Sequence, residues 1–433
     1  MSSGTAEKIR QATATQLAEK LRSRELSALE VVDACLQRID DRDADIRAWT
    51  LVDAEYARSQ ARALDSGPIR GPLHGLPIAV KDIIATAALP TQYGSRIYAG
   101  HKPDRDAACV SAALAAGAIV LGKTATTEFA FLSPTTTVNP RNPAHTPGGS
   151  SSGSAAAIAD SMVPLAFGTQ TAGSVIRPAS YCGIVGYKPT YGTIDRAGVK
   201  LIAESLDTVG VFARAVSDVA LFAGAITGNG ELLQPLSGRD ALRIGFCRTH
   251  DWNEVDSATA SIIESAVERL TASGALLSPV ELPAEFAQLQ RAHAVIQGFE
   301  AARNLKFEFE AHRSSLSPML LAMLDDGAAG SKAQYDESRQ LVSECRASLA
   351  EVFGACHVLV TASATSEAPR GLGSTGNPIM NRIWTALHTP CITIPAATGP
   401  SGLPVGVQII GRPGDDARML ACADWIDRQI RTS

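Results

Sequence analysis

The sequence predicts an α/β layered architecture with a largely parallel or mixed sheet, on three observations. From about residue 75 onward, short continuous apolar runs alternate with Ala-rich helical stretches, which is how strands buried on both faces and their crossovers read. Of the 433 residues, 45% are hydrophobic and 19% charged, a balance that fills a sizeable core and excludes wholesale disorder. No internal repeat and no long polar linker divides the chain.

The elements follow in order. Residues 1–65 read as helical. Ser27 and Glu30 have capping-box spacing, and Val31, Val32, Cys35, Leu36 and Ile39 recur behind them at helical spacing. A second periodic run covers 54–65 and stops before Gly67-Pro68. Apolar runs predict strands at 76–80, 118–121, 163–167, 183–187, 242–247, 357–361, 391–395 and 405–410. Helical periodicity predicts helices at 106–116, 151–160, 216–226, 256–273, 283–312, 333–353 and 415–429.

Composition excludes several function classes. Lys+Arg is 39 and Asp+Glu 44, a net charge of −5, which argues against nucleic acid as the main partner. The eight cysteines contain no C-x-x-C pair, so neither a zinc ribbon nor a thioredoxin-type site is written here. They read as reduced core residues. The eight histidines show no H-E-x-x-H spacing, and no G-x-S-x-G elbow occurs. His145 and His388 read as satisfied surface or loop histidines. The N-terminus lacks an apolar signal region, and the most lipid-like stretch, 107–122, is too short and too rich in Ala and Gly to span a bilayer. A cytoplasmic protein without metal or cofactor is expected.

Two glycine-rich signals compete. Gly117 to Thr124 fits the P-loop expression G-x-x-x-x-G-K-[ST], but its middle residues, Ala118 to Leu121, are themselves a strong strand. A stiff buried strand cannot wrap a phosphate, so a helix–Gly–strand connection is expected instead. The second signal is Gly148 to Ser154 (GGSSSGS), followed by Gly168 to Ser180 (GTQTAGSVIRPAS). A flexible linker does not fit, because apolar segments flank both pieces. Two glycines and three hydroxyl residues before a helix can aim consecutive backbone N–H groups at one point, as an oxyanion requires.

These two motifs, with Gly75 to Asp82 (GLPIAVKD) upstream, resemble the amidase signature family. Asn139-Pro140, Tyr181 to Pro189 and Gly402 to Gly411 add to the likeness, which runs from about residue 10 to 430. The run Gln170 to Pro178 looks most like the malonamidase branch. The resemblance implies a large mixed, mostly parallel twisted sheet covered by helices on both faces. It also implies one amidase domain over 1–433. In it N-terminal helices (1–70) pack on a catalytic core (75–190), and a helical region (283–350) lies over the active site.

The same resemblance implies a Ser–Ser–Lys triad, with Ser174 as nucleophile, Ser150 as bridging serine after a cis Gly149–Ser150 bond, and Lys81 as base. Ser174 would form an acyl-enzyme that water hydrolyses. Ser150 would relay the proton, since a hydroxyl both donates and accepts. Lys81 must be neutral to take it, and the apolar run Ile78, Ala79, Val80 suits the burial that lowers a lysine pKa. The oxyanion hole would be the backbone N–H groups of Thr171, Ala172, Gly173 and Ser174. Arg177, three residues after Ser174 on one helix face, would hold the free carboxylate of a malonamate-like substrate. The alternative for Arg177 is a structural ion pair with an acid such as Glu128 or Asp195.

Two departures stand out: Gln170 where most members have Asp, and Ala172 where most have Gly. Together with an arginine one place later than usual, they lean away from the tRNA-amidotransferase branch. Ala172 also restricts the backbone of the expected hole. The expected function is hydrolysis of a small carboxamide carrying a carboxylate, with a homodimer as the candidate assembly. A partner-dependent amidotransferase subunit or a non-catalytic paralogue is the alternative. Asn381, Arg382 and Trp384 are candidates for the pocket wall.

Overall fold

Successive residues of nearly every inner strand are buried, so the sheet that organises this chain is covered on both faces. The computed structural model describes residues 3–234, 236 and 241–431. Among the described residues one eleven-stranded sheet forms. Its strands are β1 (Trp49–Val52), β2 (Pro77–Lys81), β3 (Ile119–Thr124), β4 (Leu165–Gln170), β5 (Val185–Lys188), β6 (Thr208–Ala213), β7 (Arg243–Cys247), β8 (Leu276–Val280), β9 (Val358–Ala362), β10 (Cys391–Thr398) and β11 (Pro404–Ile410). The order across the sheet is β1-β3-β2-β4-β6-β5-β10-β11-β9-β7-β8.

The mixed α/β sheet is present as expected, but its parallel part is narrower than the sequence suggests. Parallel pairing is confined to β3–β2–β4 and β9–β7–β8. The other six pairings are antiparallel. The connection from β10 to β11 shows why. Only residues 399–403 separate the two strands, and a parallel crossover needs a dozen or more residues.

All eight expected strands are present within a few residues. Three more were not foreseen: β1, β6 and β8. β8 is an edge strand with an exposed pattern and Pro279 inside it, and only tertiary pairing with β7 makes it a strand. The capping box at Ser27 and Glu30 is formed in both directions. The expected helix 283–312 is broken into a 3-10 turn Ala284–Gln288 and helices Leu289–Asn304 and Lys306–Ala311. The expected helix 333–353 splits at Ser348 into Lys332–Ala347 and Leu349–Phe353.

The P-loop expression is overruled as expected. Residues 119–124 are the buried strand β3, and a Cβ on Gly122 would lie 2.1 Å from Leu51 O on β1. Lys123 points into the core, bonded to Ile84 O and Thr91 Oγ1 and paired with Asp82 at 3.3 Å. No helix among the described residues is long and apolar enough to cross a membrane.

Candidate active site

The site gathers at the carboxyl ends of the parallel neighbours β2 and β4, where open α/β sheets characteristically place ligands. β2 ends on Lys81 and β4 ends on Gln170. Between them in sequence, residues 148–151 turn into helix Ser152–Ala159.

The serine-rich turn is built by its own hydroxyls and by two glycines. Ser151 Oγ donates to Thr169 O, Ser152 Oγ to Gly148 O and Ser154 Oγ to Phe167 O. Gly148 has φ +82°, and a Cβ there would meet Pro178 Cα at 2.8 Å. A Cβ on Gly149 would meet Thr375 Cγ2 at 2.8 Å. That leaves Ser150 as the serine free to face Lys81. The Gly149–Ser150 peptide is cis.

Lys81 is fully buried and hydrogen-bonded to Ser150 Oγ at 2.8 Å and Thr169 Oγ1 at 2.7 Å. Burial pushes its pKa down to about 7, against the opposing charge of Asp207. A large share of Lys81 is therefore neutral near pH 7 and able to accept a proton. Ser174 is buried too, at 7% exposure. Its hydroxyl makes no hydrogen bond among the described residues, so the expected Ser150–Ser174 contact is not formed in this structure.

The turn after β4 is held from several directions. Gln170 Oε1 accepts from the N–H groups of Val175 and Ile176 at 2.9 and 3.1 Å, and its Nε2 donates to Thr385 Oγ1 at 3.0 Å. Thr171 Oγ1 donates to Asp207, whose other oxygen accepts from the Ile202 and Ala203 N–H groups. Burial raises the Asp207 carboxyl to about 6 despite these bonds. The N–H groups of Thr171, Ala172, Gly173 and Ser174 have no acceptor among the described residues. Four free donors in succession, beside a buried serine, can take the charge of an oxyanion. Ala172 is not at positive φ, so the backbone of the turn does not call for glycine there. The steric demand falls on Gly173, whose Cβ would lie 2.4 Å from Asn381 Oδ1.

Arg177 is 1% exposed. Its Nη2 donates to Gly149 O at 2.7 Å and to Thr375 Oγ1 at 3.2 Å, while Nε and Nη1 are buried without a partner among the described residues. Burial pushes its pKa down to about 10. The structural alternative is not formed: Glu128 accepts from Ser317 N–H and Asp195 from Ala197 N–H. A buried guanidinium with two idle donors suits a ligand carboxylate.

Of the wall candidates, Asn381 lies against Gly173, and Arg382 has a buried Nε without a partner. Trp384, like Asn381, has no exposure, and its ring packs in a hydrophobic cluster. His145 Nδ1 donates to Ala368 O, and His388 stacks on Tyr191 and donates from Nε2 to Ser205 O, so both are satisfied as expected. Sequence reasoning missed Asp207, His293 and Thr385, which lie in other elements with no local motif to announce them, and gave no role to Thr169, which lies inside the 168–180 run. Gln170 was visible only as a departure.

A cavity of about 550 Å³ lies between the helical region and the loop bearing Phe131 and Leu132, with Val295, Phe299 and Met323 on its other walls. Lys81, Ser150 and Ser174 do not line it. No cluster of three metal-ligating side chains occurs among the described residues.

Fold and comparison together define a hydrolase that acts on amides. The family model described as Amidase matches residues 30–420, and the chain belongs to that family. A solved structure described as an amidase superposes with a TM-score of 0.89 at 26% identity, covering 97% of this chain and 100% of the other. A peptide amidase in complex with chymostatin gives 0.84 at 27% identity, over 97% and 98%. Among curated relatives, a Glutamyl-tRNA(Gln) amidotransferase subunit of Anaeromyxobacter sp. (strain K) is 34% identical over 94% of this chain and 93% of its own length. The protein of the same name from Natranaerobius thermophilus is 30% identical over 98% and 96%. These relatives do not single out the malonamidase branch, towards which the motif around Arg177 leaned.

Proposed function

We propose that this chain hydrolyses the C–N bond of a small primary carboxamide through a Ser174 acyl-enzyme. The observation that carries the reading is the buried Lys81, held to about 7 and bonded to Ser150. Ser174 Oγ attacks the carbonyl carbon, and its proton passes through Ser150 to Lys81 Nζ. The oxyanion that forms is met by the free N–H groups of 171–174. When the C–N bond breaks, Ser150 hands the proton on to the leaving nitrogen, and ammonia departs. Water then adds to the acyl-enzyme, the proton path runs again, and the acid is released.

Arg177 supports a substrate that carries a carboxylate, malonamate-like in size, because its idle donors sit beside Gly149. The test is a panel of small amides. Ser174→Ala and Lys81→Ala each lower hydrolysis by about 10³-fold or more. Arg177→Gln raises KM for carboxylate-bearing amides by about 10–10², the worth of a charge-assisted hydrogen bond, and leaves neutral amides nearly unchanged. Wild-type rates in the triad variants would sink the mechanism. Equal KM changes for charged and neutral amides would sink the role of Arg177.

A second reading, a partner-dependent amidotransferase subunit using the same chemistry, is favoured over malonamate specificity by the curated relatives. It predicts that the chain alone turns over amides slowly and gains rate with a co-purifying partner. Gel filtration and pull-down, each followed by the amide assay, separate the two readings.

A further inference from the structure

The three peptide groups of the turn are pinned by their carbonyls. Thr171 O accepts from His293 Nε2 at 2.8 Å, Ala172 O from Thr385 Oγ1 at 2.8 Å, and Gly173 O from Arg177 N–H at 2.9 Å. None of these peptides is cis. In a planar trans peptide the C=O and the following N–H point in opposite directions. Tying the carbonyl of residue 171 therefore sets the Ala172 N–H, tying that of 172 sets Gly173, and tying that of 173 sets Ser174. The last bond is the first turn of helix Ile176–Cys182. The other two come from distant helices, Leu289–Asn304 and Ile379–Ala386.

Both distant donors are built for the task. A carbonyl only accepts, so His293 carries its proton on Nε2. The ring is fully buried, and burial holds its pKa down to about 4, so it stays neutral at working pH. Its Nδ1 has no partner among the described residues, so none of them competes for its orientation. Thr385 is likewise buried; its hydroxyl accepts from Gln170 Nε2, and its one proton has Ala172 O at 2.8 Å as the nearer acceptor, with Asn381 O at 3.3 Å. Gln170 in turn holds the next two N–H groups, of Val175 and Ile176.

We propose that His293 and Thr385 are positioning residues that pre-set the oxyanion hole by anchoring the carbonyls of Thr171 and Ala172. This rests on the acyl-enzyme reading above. An anchored hole pays no reorganisation when charge develops, and the benefit falls on the transition state rather than on ground-state binding. A peptide plane freed to rotate turns its N–H away and presents a carbonyl to the oxyanion instead.

The experiment compares His293→Leu with His293→Gln, and Thr385→Val with Thr385→Ser, in the full-length protein. Gln and Ser keep a donor near the original position; Leu and Val do not. Leu and Val each lower kcat by about 10–10², a fraction of the loss on deleting a whole donor, with KM within about threefold. Gln and Ser recover most of the loss. A boronic-acid analogue of the substrate, which presents a tetrahedral anion, loses affinity by the same factor as kcat.

Folded Leu and Val variants with wild-type kcat overturn the proposal, and so does a loss that Gln and Ser fail to rescue or one confined to KM. Should His293→Leu not fold, the near-isosteric Thr385 pair decides alone. Ser174→Ala is run alongside. An active Ser174→Ala refutes the acyl-enzyme reading itself, whereas an inactive one with active Leu and Val variants refutes only the anchoring.

Discussion

Titrating kcat/KM from pH 5.5 to 9.5 tests the proposed base directly. An ordinary lysine near 10.4 is neutral in only about one molecule in 2,500 at pH 7. With Lys81 held to about 7, about half the molecules carry the free amine. The difference corresponds to roughly 4–5 kcal/mol at about 1.36 kcal/mol per pH unit, and its source is burial of an amine with no paired carboxylate. The rate should climb about tenfold between pH 6 and 8 and then level off, the behaviour of one group titrating near 7. Asp207 supplies the control. Its charge favours protonated Lys81, so Asp207→Asn should move the rising limb to lower pH. A rate still climbing tenfold per pH unit at 9.5 would mean an ordinary lysine and refute the reasoning. If the limb vanished in Asp207→Asn, it would belong to the Asp207 carboxyl, itself held up to about 6.

Two further outcomes follow from the same geometry. Below pH 7 Lys81 is charged in both native and unfolded states, and the native state bears the full cost of burying it; between pH 7 and about 10.4 the unfolded state binds the extra proton, so stability rises with pH. Lys81→Met should therefore gain most over wild type near pH 6, with the advantage shrinking towards pH 10, as read by urea denaturation at several pH values. Gly173→Ala places a methyl 2.4 Å from Asn381 Oδ1; kcat should fall by about 10² or more as the turn shifts, and an unchanged kcat in a folded variant would show that the turn has room to spare.

Much of the fold was legible because burial on both faces writes strands as unbroken apolar runs, as at Ile78 to Val80 and Leu165 to Phe167. β8 was not legible: Leu276 is 57% exposed and Pro279 interrupts the run, so its strand character comes from pairing with β7 rather than from its own residues. The proportion of antiparallel pairing was underread for a related reason. Apolar strands state that they are buried, not which neighbour they choose or in which direction.

For the site, the resemblance carried by local motifs supplied the candidate inventory: a lysine after an apolar run, a serine in a Gly/Ser turn, a second serine followed three residues later by an arginine. Local motifs can do this because each is a short stretch of backbone with its own turn geometry. Tertiary structure alone decided the environment. It removed water from Lys81 and placed Asp207 near enough to oppose the resulting shift. Among the described residues it left Arg177 without a carboxylate partner, and it brought His293 and Thr385 onto the carbonyls of Thr171 and Ala172. Those effects depend on desolvation and on distances between residues 122 and 213 positions apart in the chain, which no local pattern encodes.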